Sequence, residues 1–257
     1  MARELLQNGF DVHGSVLILA TWNFPRFRWV ISKFDVDALR ACLEELKDDF
    51  GVLAAYNIQN IDLAEHRGRI EKIFDRLAAV EGIEYTGAPK VMQLKCPQLF
   101  VPWDTYIRGD KSETLYKKLP IVKQNKWRVH KYGRRGSGYV DFLLDMQKRF
   151  GDLDYPISTK SLAKAIDEFN FVHVTRPLQD MENEVAFTAA RDVILKTLPK
   201  SRSDAKKLRE VMKSATLTGK VAKNALESLV ADGKVVVVTG KHKSDTKRYC
   251  LSDSSTV

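Results

Sequence analysis

Apolar residues recur every three or four positions through most of the chain, and strand-like alternation is rare before residue 170. That spacing places apolar side chains on one face of a helix, so each such stripe predicts an amphipathic helix. The stripes are Val36–Leu39–Leu43–Leu46–Phe50, Ile70–Ile73–Phe74–Leu77, Val140–Leu143–Leu144–Phe150, and Leu162–Ile166–Phe169 behind a cap at Ser158 or Thr159. Phe171 to Thr175 is a short β-like run, and the polar stretch from Pro177 to Asn183 predicts a domain boundary.

Residues 184–257 have a different pattern, which predicts three helices followed by a β-hairpin. The predicted helices carry Val185, Ala189, Val193 and Leu198, then Leu208, Val211 and Met212 after a cap at Ser201–Ser203, then Val221, Ala225, Leu226, Leu229 and Val230 up to a C-cap at Asp232–Gly233. The predicted strands are Val235 to Val238 and Arg248 to Leu251, joined by a basic loop.

This order of elements resembles the winged helix-turn-helix family. In that family the third helix enters the major groove and the hairpin wing contacts the DNA backbone. The resemblance implies that Lys220, Lys223 and Asn224 contact DNA from the third helix, with Lys241, Lys243 and Arg248 in the wing. The alternative is a winged helix used for protein contacts or dimerisation.

The net charge is +9 and the pI is about 9.3, which favours a polyanionic partner. Residues 105–135 hold ten Lys/Arg against two Asp/Glu, and residues 184–250 hold fifteen against seven. Two basic segments predict two contacts with one long polyanion, double-stranded DNA. The phosphate-contacting candidates of the first segment are Arg108, Lys126, Arg128, Arg134 and Arg135.

Several function classes are disfavoured by the composition. The three cysteines, Cys42, Cys96 and Cys250, are far apart, and neither they nor the histidines have metal-ligand spacing. We therefore expect no disulfide, no metal and no cofactor. No apolar run approaches a membrane span, and the N-terminus has no signal-peptide pattern. The expected location is the cytoplasm, in association with the nucleoid.

The stretch from Val80 to Gly109 carries the candidate chemistry. It predicts a tight hairpin from Gly82 to Gly87, a short helix from Ala88 to about Lys95, a break at Pro97, and Asp104 opening the next element after Pro102–Trp103. Glycines permit positive φ and close approach of another backbone, and N–H groups at a helix start can hold a phosphate. Gly82 and Gly87 are therefore DNA-binding candidates.

This stretch resembles the helix-hairpin-helix (HhH-GPD) DNA glycosylase superfamily, whose signature is a glycine-containing hairpin, a helix and a Pro-x-Asp-Thr element, here Pro102–Trp103–Asp104–Thr105. The resemblance implies that Asp104 is the catalytic carboxylate and that Lys90 is a Schiff-base nucleophile, with Lys95 as the alternative lysine. Two structural interpretations stay open. Asp104 is also a favoured helix N-cap, and Lys90 is also consistent with a solvated or phosphate-binding lysine.

Aromatic residues near basic ones supply candidates for stacking on an extruded base, namely Trp22, Trp29, Trp103 and Trp127. The alternative is that these side chains belong to the core.

Taken together, the sequence predicts a mainly α chain, with an HhH-GPD-like helical domain at residues 1–178 and a small α+β winged-helix domain at residues 184–257. The predicted function is a base-excision DNA N-glycosylase, with possible lyase activity. The alternative is a non-enzymatic DNA-binding regulator or defence protein. The base excised, the sequence preference and the oligomeric state are left open.

Overall fold

The structure is a computed structural model that describes residues 1–22, 27–28, 30–123, 131–156, 160–200, 204–215, 219–239 and 247–252. The chain divides into two compact units, Met1–Leu178 and Gln179–Val257. About 65% of the structure is helical, and a small three-stranded antiparallel sheet lies in the second unit. The prediction of a mainly α chain is confirmed. Within the described residues, no helix combines the length and apolar character needed to cross a membrane.

The first unit is built from helices alone in the part of it that is described. In chain order these are α1 (Ala2–Gln7), α2 (Asp11–Trp22), α3 (Val36–Glu45), α4 (Lys47–Leu53), α5 (Arg67–Ala78), α6 (Glu84–Lys95), α7 (Glu113–Tyr116), α8 (Pro120–Lys123), α9 (Gly136–Phe150) and α10 (Leu162–Asn170). A 3-10 turn at Ile31–Lys33 and a π-helical turn at Phe171–Thr175 complete the set.

The predicted stripes form much of the core of this unit. All four members of the α5 stripe are fully buried, as are Leu39, Leu46 and Leu143. The first stripe is divided between α3 and α4, which break at Leu46, and its first member, Val36, is exposed. Leu144 is also exposed, one position off the buried face of α9. The N-cap of α10 is Ser161, whose Oγ accepts from the N–H of Lys164 at 3.2 Å, while Ser158 and Thr159 lie outside the described residues.

Helices α5 and α9 approach each other closely at the start of α9. The N–H of Gly136 donates to Oδ1 of Asp75 at 2.7 Å. A Cβ added at Gly136 would lie 2.5 Å from Cα of Glu71, and one at Gly138 would lie 2.5 Å from N of Gly133. Such distances leave no room for a side chain, so glycine is required at position 136 for the contact with α5 and at position 138 for the approach to the backbone of Gly133.

The region predicted as a strand and a boundary loop is helical. The π turn Phe171–Thr175 follows α10 and is followed in turn by α11 (Arg176–Thr197). The β-like interpretation of residues 171–175 is therefore wrong, because packing of Val174 and Thr175, which are buried, overrides the strand preference of β-branched residues. The stretch from Pro177 to Asn183 belongs to α11 as well.

The second unit contains most of α11, followed by β1 (Lys206–Lys207), α12 (Leu208–Ala215), α13 (Gly219–Ala231), β2 (Val235–Val238) and β3 (Arg248–Leu251). Both predicted strands have the predicted bounds. They pair antiparallel, Val235 with Leu251 and Val238 with Arg248, and β1 adds to β3 to give the order β1-β3-β2. The two-residue strand β1 was not predicted.

Helix packing in this unit confirms one prediction and corrects two. Helix α13 ends as predicted, with Gly233 at φ +70 and the N–H of Lys234 donating to O of Leu229 at 3.0 Å. The buried face of α11 carries Ala190, Ile194 and Leu198, whereas Val185 and Ala189 of the predicted stripe are exposed. Helix α12 begins at Leu208, several residues after the predicted cap at 201–203, which lies outside the described residues.

Candidate active site and nucleic-acid surface

Asp104 follows the buried segment 99–103 and precedes a turn at residues 105–109. Its Oδ1 accepts from the N–H groups of Tyr106 and Ile107, both at 2.8 Å, which is the hydrogen-bond pattern of an N-cap, although residues 105–109 form a turn and not a helix. Its Oδ2 accepts from Oγ1 of Thr175 at 2.8 Å. Three donors thus hold one half-buried carboxylate in a defined orientation, and one of them comes from a residue far away along the chain.

Lys90 lies in the middle of α6 and is 8% exposed. Its Nζ is 4.9 Å from the centroid of the Trp22 ring, a distance at which cation–π attraction operates. The interpretation of Lys90 as a solvated lysine is therefore wrong. Trp22, at the end of α2, is 36% exposed, so this lysine lies beneath an aromatic ring that solvent still reaches.

A second lysine shares the same ring. Nζ of Lys164 is 5.2 Å from the centroid of Trp22 and 2.6 Å from Oδ2 of Asp167. Burial raises the pKa of Asp167, the ammonium of Lys164 acts to lower this pKa, and the charge of Asp104 raises it further. Contacts join Lys90, Lys164 and Asp167 around the Trp22 ring, and the charge of Asp104, which accepts from Thr175, acts on Asp167.

We call this set the ionic cluster, and it consists of Trp22, Lys90, Asp104, Lys164, Asp167 and Thr175. Sequence reasoning identified the first three and missed the other three. One signal was available for Asp167, since it directly follows Ile166 on the helix whose apolar stripe also includes Leu162. A charged residue at the edge of a buried stripe needs a partner, and Lys164 supplies it.

Lys95, the alternative nucleophile, lies outside the ionic cluster. Its Nζ is 3.1 Å from Oδ2 of Asp11 and 5.7 Å from the centroid of the Phe50 ring. Asp11 begins α2 and Trp22 ends it, which places the two about 16 Å apart along the helix axis. Lys95 is therefore paired at the far end of α2 from the ionic cluster.

The hairpin before α6 is shorter than predicted, because α6 begins at Glu84 rather than Ala88. Gly82 has φ +89, as a hairpin glycine should, and packs against Phe34. Gly87 is inside the helix, where its N–H donates to O of Ile83 at 3.0 Å. A Cβ on Gly87 would lie 3.0 Å from Leu19, so this glycine permits close helix packing and its N–H does not face a phosphate.

Two further site candidates belong to the core. Trp103 is 1% exposed, donates from Nε1 to O of Tyr85 at 2.8 Å, and packs edge-on against Phe74. The base-stacking interpretation of Trp103 is wrong, because no face of its ring is accessible. Arg108 is also 1% exposed, pairs with Asp110, and lies 4.3 Å above the Tyr85 ring. Burial lowers the pKa of Arg108, and its guanidinium does not form part of an exposed DNA-contacting surface.

Arg134 and Arg135 are exposed at the start of α9. The guanidinium of Arg134 is 4.9 Å from the centroid of the Tyr85 ring, so Tyr85 contacts two arginines, one buried and one exposed. Arg135 is the N-cap residue of α9. Their exposure is compatible with the predicted phosphate contacts, which stay predictions.

The predicted DNA-contacting residues of the second unit are exposed where the structure describes them. Lys223 and Asn224 follow Lys220 by three and four positions on α13, so each is a neighbour of Lys220 on the helix surface. Nζ of Lys223 is 3.9 Å from Oε1 of Glu227. Arg248 is exposed on β3, opposite Lys207 in the sheet register. The remaining candidates lie outside the described residues, namely Trp29, Lys126, Trp127, Arg128, Lys241 and Lys243.

In the part of the chain that the structure describes, no group of three or more His, Cys, Asp or Glu residues is placed to hold a metal ion. Comparison of this chain with protein-family models, with curated proteins and with solved structures found no match.

Proposed function

We propose that this protein is a base-excision N-glycosylase acting on double-stranded DNA in the cytoplasm, with an HhH-GPD-like helical unit and a winged-helix unit. The ionic cluster is the observation that carries the proposal. It contains a buried primary amine, Lys90, next to the partly exposed ring of Trp22, and a firmly held carboxylate, Asp104, whose charge acts on Asp167 of the same cluster. An enzyme of this class extrudes the target base from the duplex into a pocket that often stacks it on aromatic side chains.

The proposed reaction begins with cleavage of the N-glycosidic bond, whose electron pair leaves with the base. The base takes up a proton, and positive charge builds on the sugar. The carboxylate of Asp104 stabilises this positive charge, because a fixed opposite charge in a partly dry site needs no reorganisation. In the monofunctional form of the reaction, water then adds to C1′, loses a proton, and leaves an abasic site.

In the bifunctional form, the uncharged Nζ of Lys90 forms the new bond to C1′. Nζ then loses a proton, the C1′–O4′ bond opens, and O4′ takes up a proton, which leaves a protonated imine between Lys90 and the sugar. A lysine nucleophile must be uncharged when it attacks. Lys90 is buried and shares the Trp22 ring with the ammonium of Lys164.

The second unit supports the DNA-binding part of the proposal. Its order is helix, strand, two helices and a hairpin, and its sheet order is β1-β3-β2. This order resembles a winged helix in which α13 is the recognition helix and β2–β3 form the wing. The exposed face of α13 with Lys220, Lys223 and Asn224 is then the surface that enters the major groove.

The experiment that tests the proposal is borohydride trapping. The protein is incubated with duplex oligonucleotides that each carry one damaged or modified base, and borohydride is added. Hydride transfer to the imine carbon gives a stable amine, so we expect a covalent protein–DNA adduct with the wild type and none with Lys90→Ala. Adducts are measured on denaturing gels, and abasic sites are measured by alkaline cleavage.

Lys95→Ala is the matched control, since this lysine is on the same helix but pairs with Asp11. It should form the adduct at the wild-type level. Abasic sites without an adduct would leave Asp104 as the catalytic group and remove Lys90 from the chemistry. Neither product across a broad panel of lesions would contradict the proposed function.

The double substitution Lys220→Ala with Lys223→Ala is expected to weaken duplex binding and flatten its salt dependence. Each lost phosphate contact reduces the slope of log K against log salt by about 0.9, so we expect a change of about 2. Affinity is measured by fluorescence anisotropy between about 50 and 200 mM salt. Lys47→Ala with Lys148→Ala removes the same charge from exposed positions of the first unit, and an equal change in slope there would contradict the interface.

The second candidate function is a non-enzymatic DNA-binding regulator. It is favoured by the N-cap geometry of Asp104, since both hydrogen bonds to Oδ1 are structural. This function predicts tight, sequence-preferring duplex binding that the α13 substitutions abolish, without adducts or abasic sites from any substrate.

A further inference from the structure

Thr175 connects the end of the first unit to the proposed catalytic carboxylate. Thr175 is 1% exposed, and its hydroxyl donates to Oδ2 of Asp104 at 2.8 Å. The other oxygen, Oδ1, already accepts from the N–H groups of Tyr106 and Ile107. Two bonds to Oδ1 alone leave the carboxylate able to rotate about its Cβ–Cγ bond, which also moves Oδ1, and the bond from Thr175 to Oδ2 opposes this rotation.

The π turn determines where Thr175 points. Each residue of an α-helix turns by about 100°, so two residues eight positions apart differ in direction by about 80°. Residues of a π turn each turn by about 80°, because the hydrogen bonds reach one residue further. From Asp167 to Thr175 the chain runs through α10 and then the π turn Phe171–Thr175. Four steps of each kind bring the two residues to about the same direction.

Burial agrees with this alignment. Asp167 is 5% exposed and Thr175 is 1% exposed, whereas Glu168, Phe171 and Val172 are exposed. The Oδ2 of Asp104 accepts from Thr175, and the charge of Asp104 acts on Asp167, so Asp104 is near both residues. An uninterrupted α-helix would rotate one of them away. π turns occur mostly as single-turn insertions and are frequent at functional sites.

We propose that Thr175 is a positioning residue for Asp104, and that the π turn Phe171–Thr175 exists to place it there. The inference rests on the proposed function for its catalytic consequence, but the positioning itself is a property of the protein without DNA. Thr175 fixes the orientation of the carboxylate that faces the sugar, and Asp167 with Lys164 forms the charged wall next to it.

The test compares Thr175→Val, which removes the hydroxyl at nearly constant volume, with Thr175→Ser, which keeps it. Thr188→Val, at an exposed position of α11, is the matched control. The first measurement is hydrogen exchange at the amides of Tyr106 and Ile107 in the protein alone. We expect Thr175→Val to lower their protection about tenfold, because a pivoting carboxylate leaves these donors, and Thr175→Ser to retain it.

The second measurement is excision kinetics on any substrate that the wild type cleaves. We expect kcat to fall about tenfold in Thr175→Val while duplex affinity stays unchanged, and the serine variant to recover kcat. Thr175→Ala serves as a second hydroxyl deletion if the valine variant does not fold. Tryptophan fluorescence shows whether each variant is folded.

The two measurements separate the two proposals. Wild-type protection of Tyr106 and Ile107 in the hydroxyl-deleted variant would overturn the inference, whatever the kinetics show. An unchanged kcat in that variant would also overturn it. Lost protection that serine restores supports the inference, even if no substrate is ever cleaved, and absence of cleavage by the wild type would count against the proposed function alone.

Discussion

Asp104→Asn is expected to reduce base excision by about 10²–10³-fold while duplex affinity stays at the wild-type level. Asparagine is as good an N-cap as aspartate, so its Oδ1 can keep the bonds from Tyr106 and Ile107. The substitution therefore removes the negative charge and keeps the turn, while the Thr175 hydroxyl, which donates to Oδ2 of aspartate, accepts from Nδ2 of asparagine instead. Alanine is a poorer choice, since loss of a cap alone destabilises a protein by about 1 kcal/mol.

The measurement is single-turnover excision, with anisotropy for duplex affinity. Asp35→Asn is the matched control, because Asp35 caps α3 by accepting from the N–H of Ala38 at 2.8 Å and lies outside the ionic cluster. It should leave both quantities unchanged. A parallel loss of excision and affinity in Asp104→Asn would assign Asp104 a structural role, and full activity would exclude it as the catalytic group.

Trp103→Ala is expected to lower the free energy of unfolding of the first unit by about 3–5 kcal/mol. The ring is fully enclosed by Phe74, Tyr139 and Phe142, with centroid distances of 5.7, 5.1 and 5.5 Å. Truncation to alanine therefore leaves a large cavity at the residue that precedes Asp104. The same change also removes the indole N–H that donates to O of Tyr85 and leaves this carbonyl without that donor.

Urea unfolding followed by tryptophan fluorescence measures this effect in the correct unit. All four tryptophans of the chain lie within residues 1–178, so three report on the first unit after Trp103 is replaced. Trp103→Phe is the control, since it keeps an aromatic ring and loses only the hydrogen bond and part of the volume. A loss below about 1 kcal/mol for Trp103→Ala would show that this side chain does not fill the core.

Local patterns in the sequence were sufficient for many elements of the fold. The stripe in α5 is buried as predicted, and the strands Val235–Val238 and Arg248–Leu251 have the predicted bounds. The C-cap at Gly233 follows because only glycine adopts φ +70 without strain. Each of these predictions depends on neighbours within one or two turns, where propensity and periodicity act directly.

The predictions for other elements were wrong because two local patterns competed. In α11 the apolar residues Val185, Ala189 and Val193 have helical spacing, but so have Ala190, Ile194 and Leu198, and the second set is buried. Packing against the rest of the unit decides between such faces. The β-like prediction for residues 171–175, which form the π turn, was wrong for a similar reason, since β-branched residues favour strands unless tertiary contacts override this preference.

Only the residues of the candidate site that belong to a local sequence motif could be predicted. Asp104 follows from the Pro102–Trp103–Asp104–Thr105 element, and Lys90 from its place after the hairpin. Lys164, Asp167 and Thr175 join them from a distant stretch of the chain, so no spacing in the sequence indicates the contact. Among the wrong candidates, Trp103 and Arg108 were chosen by residue type, which does not distinguish a buried aromatic or arginine from an exposed one.

The contact of α5 with α9 has a consequence for how distant relatives of this chain would be recognised. Glycine is required at 136 by the approach of its backbone to Glu71 and at 138 by its approach to Gly133, and Asp75 accepts from the N–H of Gly136. An aspartate followed about sixty residues later by a Gly-x-Gly helix start is therefore a search pattern grounded in sterics. Combined with the aspartate at 104, it would find sequences in which overall identity has faded but this architecture persists.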